Sequence, residues 1–297
     1  MRRREFNGGL AGALAGLPAF ASDQKYRGAG ASPFQAIEAG VQGRLGVAVL
    51  DTSTGRVDGL RLDERFPMCS TFKWLLAAAV LQRADAGGER LDRRIAFGRD
   101  ALAGWSPVTG KRVGGAGMSV AELCEAAVTV SDNTAANLLL AAVGGPEAVT
   151  RCARSLGDTQ TRLDRIEPAL NEALPGDPRD TTTPRAMSTA LRSALLGDGL
   201  PASARAQLTR WMLATTTGTD RLRAGLPAGW RVADKTGTGD RGSTNDVAVV
   251  WPAAQAPLVV VAYLTDCAAP AAQREAALAD VARAVAKPLA PGFTKAQ

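Results

Sequence analysis

The chain of 297 residues contains no histidine. That absence removes the Ser-His-Asp triad and the Cys-His pair, so any nucleophile here must be activated by a lysine or a carboxylate. Cysteine is scarce. Cys69, Cys124, Cys152 and Cys267 stand far apart with no C-x-x-C spacing, which excludes a zinc site of the usual kind. In an exported chain some of them can pair as disulfides, in a pattern the sequence does not assign. No stretch after the start is apolar for long enough to cross a bilayer, so stable membrane insertion is not expected. Arginine and lysine are scattered without runs or interleaved aromatics, and the net charge of +6 is mild. Nucleic acid is therefore not an expected partner. With 46% hydrophobic and 22% charged residues and no internal repeats, the composition is that of a globular protein.

The first residues, "MRRREFNGGLAGALAGLPAFASDQ", run from arginines through an apolar small-residue stretch to Ala19-Phe20-Ala21. This is the plan of an export signal, with Arg3-Arg4-Glu5-Phe6 similar to the twin-arginine variety. A mature chain from about Ser22 is expected, periplasmic or secreted. Removing residues 1–21 takes away three arginines and one glutamate, so the charge becomes 6 − 2 = +4.

Beyond the signal, Pro33 to Gln42 reads as a short helix and "RLGVAVLDTSTGRVDGLRLD" as two strands joined by a turn at Asp51 to Gly55. From about 63 to 213 the texture is helical: Ser70 to Arg83, Ser119 to Val130 with a capping Ser and a Glu three residues on, Ser131 to Val143, then helices opened by Pro146 and Pro184, and Ser203 to Ala214. Strands return in "WRVADKTG", "NDVAVVWP" and "PLVVVAYLT", before a last helix from about Gln273 to Ala286. The pattern predicts an α+β fold: residues 22–62 and 214–297 form an α/β domain, and 63–213 an inserted all-α domain, with a small-molecule cleft between them.

Ser70-Thr71-Phe72-Lys73 puts a hydroxyl and an ammonium on one helix face, with Ser70 expected to open the helix. S-x-x-K alone is weak, and Ser22 to Lys25 is a second copy. Lysine is scarce, however, at six of the 35 basic residues, and Lys73 sits in an apolar helix where an idle ammonium is costly. Ser131-Asp132-Asn133 lies between two predicted helices, and Lys235-Thr236-Gly237 ends a predicted strand. Singly these read as a helix cap and a strand exit. Together, in this order and spacing, they resemble the class A serine β-lactamases. "RIEPALNEALPGDPRDTTTP", from Arg165, is similar to that family's Ω-shaped loop, here 165–180.

The resemblance spans about residues 35 to 287. It implies the β-lactamase and penicillin-binding-protein fold, with a five-stranded antiparallel sheet flanked by helices, and hydrolysis of the cyclic amide of penicillins and early cephalosporins. It makes Ser70 the acylated nucleophile and Lys73 its proton partner. Ser131 becomes the shuttle to the leaving nitrogen, and Glu167 with Asn171 the holders of the deacylating water. The backbone N–H groups of Ser70 and Thr238 would form the oxyanion hole. Lys235, Thr236 and Thr238 would take the substrate carboxylate, helped by Arg221 in place of the arginine that most relatives carry near 244, where this chain has Thr244. Asn133 would hold the side-chain amide, Trp105 would pack on substrate at the cleft mouth, Asp132 would be structural, and Arg165 with Asp180 would close the loop. No metal or cofactor is implied, and nothing argues for more than a monomer.

Two departures matter. A carbapenem-hydrolysing branch bridges Cys69 to a cysteine where this chain has Gly239, and the usual partner position of Cys124 is Ala77. A penicillin-binding D-Ala-D-Ala peptidase and a β-lactam sensor domain share the three short motifs, but Glu167 with Asn171 disfavours both.

Overall fold

The structure, a computed structural model, describes residues 32–253 and 255–289. The export signal expected over 1–21 lies outside them. Along the chain run α1 (Pro33–Val41), β1 (Arg44–Asp51), β2 (Val57–Leu60), β3 (Phe66–Pro67), α2 (Phe72–Asp85), β4 (Arg94–Ile95), β5 (Met118–Ser119), α3 (Val120–Thr129), α4 (Asn133–Val143) and α5 (Pro146–Ser155). Then follow β6 (Thr181–Thr182), α6 (Pro184–Leu195), α7 (Ala202–Leu213), α8 (Leu222–Gly225), β7 (Arg231–Thr238), β8 (Thr244–Trp251), β9 (Leu258–Thr265) and α9 (Ala271–Ala286).

Five strands form one antiparallel sheet in the order β2-β1-β9-β8-β7. The first long strand thus lies beside the last, with Arg44 opposite Thr265 and Asp51 opposite Leu258. Both faces are covered, which explains the nearly unbroken apolar runs of β8 and β9. Val259, Val261 and Tyr263 face the helical core around α2, whereas Leu258, Val260, Ala262 and Leu264 face α1 and α9. Burying each such aliphatic side chain contributes about 1.5–3 kcal/mol.

Helix α2 is the hub: every residue from Phe72 to Leu81 is buried, as expected of a helix apolar on all sides. It begins later than the sequence predicts. Cys69 to Thr71 form a 3-10 turn, and no side chain, that of Ser70 included, caps the helix. The reason is that the Ser70 hydroxyl is engaged by other side chains, described below. Likewise α4 starts at Asn133, not at Ser131, because Asp132 is the cap and accepts from Ala135 N at 2.9 Å. Helix α3 carries the predicted cap, Ser119 with Glu122, and α6 opens at the predicted Pro184, capped by Thr183. The two-residue strands and α8 carry too few residues for any periodicity to announce them.

The pairing of β3 with β6 sets Phe66 opposite Thr182. It ties the exit of the loop over 165–180 to the segment that leads into Ser70.

Candidate active site

Lys73 is the second residue of α2, and its side chain is fully buried. Its ammonium reaches Ser70 Oγ at 2.9 Å, the Ser131 carbonyl at 2.9 Å, Ser131 Oγ at 3.3 Å and Asn133 Oδ1 at 2.6 Å. Glu167 Oε1 stands 2.9 Å from the same nitrogen. The carboxylate absent from Lys73's sequence neighbourhood is thus supplied across 94 residues of chain by the Ω-shaped loop, whose Glu167 is likewise buried. Burial pulls the Lys73 pKa below the ordinary 10.5, while Glu167 resists that shift.

Ser70 Oγ donates to Glu167 Oε1 at 3.2 Å while accepting from Lys73. A hydroxyl held between an amine and a carboxylate can pass its proton to either one. The other Glu167 oxygen accepts from Asn171 Nδ2 at 2.5 Å, and Asn171 Oδ1 is buried without a hydrogen-bond partner. Cys69 and Ser131 hold positive φ, +45° and +59°, a backbone region that side chains enter only under local constraint.

Across the cleft, β7 presents Lys235, Thr236 and Thr238. Lys235 is fully buried and donates to Ser131 Oγ at 3.0 Å and to the Thr236 carbonyl at 2.8 Å. Among the described residues no carboxylate lies within 4.0 Å of it. Burial pulls its pKa well below the ordinary lysine value, and the Lys73 charge adds to the effect. Arg221, 7% exposed, reaches this strand from behind. Its guanidinium donates to the carbonyls of Gly237 and Asn245, each at 2.9 Å, and to Thr238 Oγ1 at 2.8 Å. At position 237 only glycine fits: an added Cβ would sit 2.7 Å from the Met68 carbonyl oxygen. That close approach brings the backbones bearing Ser70 and Thr238 side by side.

A model of the β-lactamase enzyme family matches residues 31–289. β-Lactamase L2 of Stenotrophomonas maltophilia is 51% identical over 85% of this chain and 84% of its own. β-Lactamase Toho-1 of Escherichia coli is 48% identical over 87% of each. The chain belongs to the class A β-lactamase family. Among solved structures, the class A β-lactamase of the last common ancestor of Gram-negative bacteria superposes with a TM-score of 0.85, at 61% identity over 86% of this chain and 98% of that one.

The remaining residues that the family resemblance singles out fall around this centre. Arg165 Nε meets Asp180 Oδ2 at 2.6 Å, and Asp180 also accepts from the backbone N–H of Asp164 and Arg165 at 2.8 and 2.9 Å. Trp105 is 61% exposed, anchored by its indole N–H to the Val130 carbonyl at 2.9 Å, while its own carbonyl accepts from Asn133 N. Asp132, buried, accepts from the backbone of Val108 and Thr109 besides capping α4. All four cysteines are free and buried, so the pairing that export would permit is not made. Burial raises the Cys69 thiol to about 12, which keeps it protonated beside the serine.

Several contributors of this β-lactamase site escape the sequence reading. Asn137 brackets Glu167 by accepting from its N–H at 3.0 Å and donating to its carbonyl at 2.9 Å. Its one signal is an amide four residues after Asn133, on the same face of an otherwise apolar helix. Asn245 donates to the carbonyls of Pro67 and Met68, at 2.9 and 3.2 Å, and so fixes the approach to Ser70. Arg274 donates to Thr244 Oγ1 at 3.0 Å, a second guanidinium at that edge of the strand. Beneath β7 and β8 lie Asp234 and Asp246, each with one buried oxygen lacking a partner. Burial raises both, Asp234 to about 6 against the pull of Arg223, and Asp246 well above 3.8 with Asp234 repulsion added.

Proposed function

We propose that this chain hydrolyses the β-lactam amide of penicillins and cephalosporins through an acyl-enzyme on Ser70. The observation that carries the reading is the single Glu167 carboxylate whose Oε1 is within 3.2 Å of Ser70 Oγ and 2.9 Å of Lys73 Nζ. A peptidase or a sensor can stay acylated by a β-lactam; a β-lactamase also needs a base beside Ser70 that activates the water attacking the ester carbonyl.

In the first step Ser70 Oγ attacks the lactam carbonyl carbon, and its proton passes to Lys73 or Glu167, both in reach. The N–H groups of Ser70 and Thr238 stabilise the oxyanion. As the C–N bond breaks, the Ser131 hydroxyl, 3.3 Å from Lys73 and 3.0 Å from Lys235, gives its proton to the leaving nitrogen and is refilled from Lys73. In the second step Glu167 takes a proton from a water held with Asn171, and the hydroxide attacks the ester carbonyl. The Ser70 oxygen leaves, recovers its proton and releases a carboxylate product.

Substrate orientation falls to the other wall. Lys235, Thr236 and Thr238, backed by Arg221, bind the substrate carboxylate. Asn133, whose oxygen is taken by Lys73, turns its amide N–H toward the acyl side chain. Trp105 packs over the mouth. Arg165 and Asp180 hold the loop that aims Glu167. The cleft separates the α/β unit of 22–62 and 214–297 from the helical unit of 63–213, and one chain supplies every group, so a monomer suffices. Among the described residues no helix is long and apolar enough to cross a membrane. Export with cleavage near Ala21 completes the reading.

The test is purified mature protein with excess chromogenic cephalosporin, beside Glu167→Ala, followed by intact mass. Sustained turnover in the wild type and an adduct on Ser70 that persists in the variant are expected. Release of one equivalent by the wild type, then arrest, would sink the hydrolase reading in favour of a peptidase or sensor.

A further inference from the structure

A cavity of about 380 Å³ lies on the far side of the Ω-shaped loop, walled by its residues 173–179 on one side and by Arg44, Arg65, Pro67 and the end of β9 on the other. It opens away from the Ser70 cleft: of the side chains described around that centre only Arg165 lines it, and it meets the 3-10 turn carrying Asn171 through Leu170. One part of its wall is apolar, formed by Leu170, Leu174 and three prolines; Leu174 is 51% exposed, one of few large apolar side chains so placed. The rest carries four guanidiniums: Arg165 is paired with Asp180 and Glu172, and Arg179 with Asp177, whereas Arg44 and Arg65 are less fully matched.

Arg65 and Arg44 have donors to spare. Arg65 spends its two terminal nitrogens on Gln160 and Thr181, neutral partners at 3.0 to 3.2 Å. Among the described residues no carboxylate lies within ion-pair distance of it. Arg44 meets Glu64 and Asp266 only loosely, at 3.5 and 3.7 Å. A pocket with an apolar wall and an unmatched guanidinium is complementary to an anion on an apolar body.

We propose that this cavity is a second binding site, for a small organic anion with an aromatic or other apolar body, whose carboxylate or sulfonate meets Arg65 and Arg44. Its occupant presses on Leu170 and Leu174 and so shifts the turn that bears Asn171. Filling the cavity therefore changes the rate at which the acyl-enzyme is hydrolysed, a consequence that rests on the function proposed above, whereas the binding itself does not.

The probe is 8-anilinonaphthalene-1-sulfonate, titrated into the mature protein and followed by its fluorescence. Saturation at one equivalent is expected. Arg65→Ala and, separately, Leu174→Asp each weaken binding about tenfold or more, the scale of one charge-assisted contact or one apolar wall. Lys235→Met, which alters only the Ser70 cleft, leaves it unchanged. Equal affinity in Arg65→Ala and Leu174→Asp, or a loss confined to Lys235→Met, would overturn the site. Decay of a Ser70 adduct, timed by intact mass with and without saturating dye, is expected to change at least about twofold in the wild type and not in Leu174→Asp. An unchanged decay despite saturated binding would overturn the coupling while leaving hydrolysis itself intact.

Discussion

Lys73 and Lys235 are both fully buried and meet at the same Ser131 hydroxyl, yet the protein holds them in opposite ways. Lys73 is compensated: a buried carboxylate lies 2.9 Å away, and several oxygens complete its shell. Lys235 has hydrogen bonds but, among the described residues, no carboxylate in ion-pair range. The helical wall of the cleft is therefore electrically closed before substrate arrives, and the strand wall is left one anion short. Such a division suits a reaction in which one side moves protons and the other waits for a carboxylate.

The comparison breaks most visibly if the two lysines respond alike to removal. Lys73→Met strands Glu167 as an uncompensated buried charge. It is expected to cost about 3–5 kcal/mol of stability and, through the lost proton transfer, about 10³- to 10⁴-fold in kcat/KM. Lys235→Met removes a cation that burial already disfavours, so Tm at pH 7 is expected to rise, about 2–4 °C for each kcal/mol relieved. Its kcat/KM should fall about 10- to 150-fold for substrates bearing a carboxylate. Paired thermal melts and initial rates decide this; a drop in Tm for both variants would erase the distinction.

Arg221→Gln sharpens the same contrast at smaller scale. The guanidinium stands behind the strand and hydrogen-bonds Thr238, so about a 5- to 30-fold loss in kcat/KM is expected. The loss should vanish for a β-lactam whose carboxylate is esterified. A loss of equal size on the ester would show that Arg221 serves only to hold the strand.

Asp246→Asn should produce the smallest effect on rate, and its signature is in pH. The folded-state pKa of Asp246 lies above 3.8, so from about pH 4 upward the unfolded chain gives up a proton that the folded chain keeps. That difference lowers stability as pH rises, and Asn, which keeps the shape without the proton, removes it. The Tm advantage of the variant should grow from pH 4 toward neutral, with a flat difference counting against a raised Asp246.

Much of the fold was readable because its signals are local. Alternating or β-branched runs mark β1, β8 and β9, and Ser119 with Glu122 or Thr183 with Pro184 mark helix starts. Ser70, Lys73 and Lys235 stand out because a hydroxyl or an ammonium is out of place on an apolar helix or strand. Ser70 and Ser131 misled as helix openers, since the cap rule is local and their hydroxyls are claimed by Lys73, which stands three residues after Ser70 and on a different element from Ser131. Asn137, Asn245 and the Asp234 with Asp246 pair were illegible for the same reason. Their partners are distant in sequence, and only the closed fold places an amide against the Glu167 backbone or two carboxyls under one sheet.

The neighbouring of β1 and β9 also governs when the molecule can exist at all. Residues 44–51 leave the ribosome first among the sheet strands and wait for 258–265, the last, before their second edge is covered. Until then a nascent chain has its helical middle and a bare strand edge, the surface most prone to pairing with another copy. Sheet closure is a late, long-range event, slow by the rule that distant contacts delay folding. Activity is thereby tied to completion of synthesis: a chain that stops short of β9 has Ser70, both lysines and the loop, and lacks the strand that joins β1 to β8.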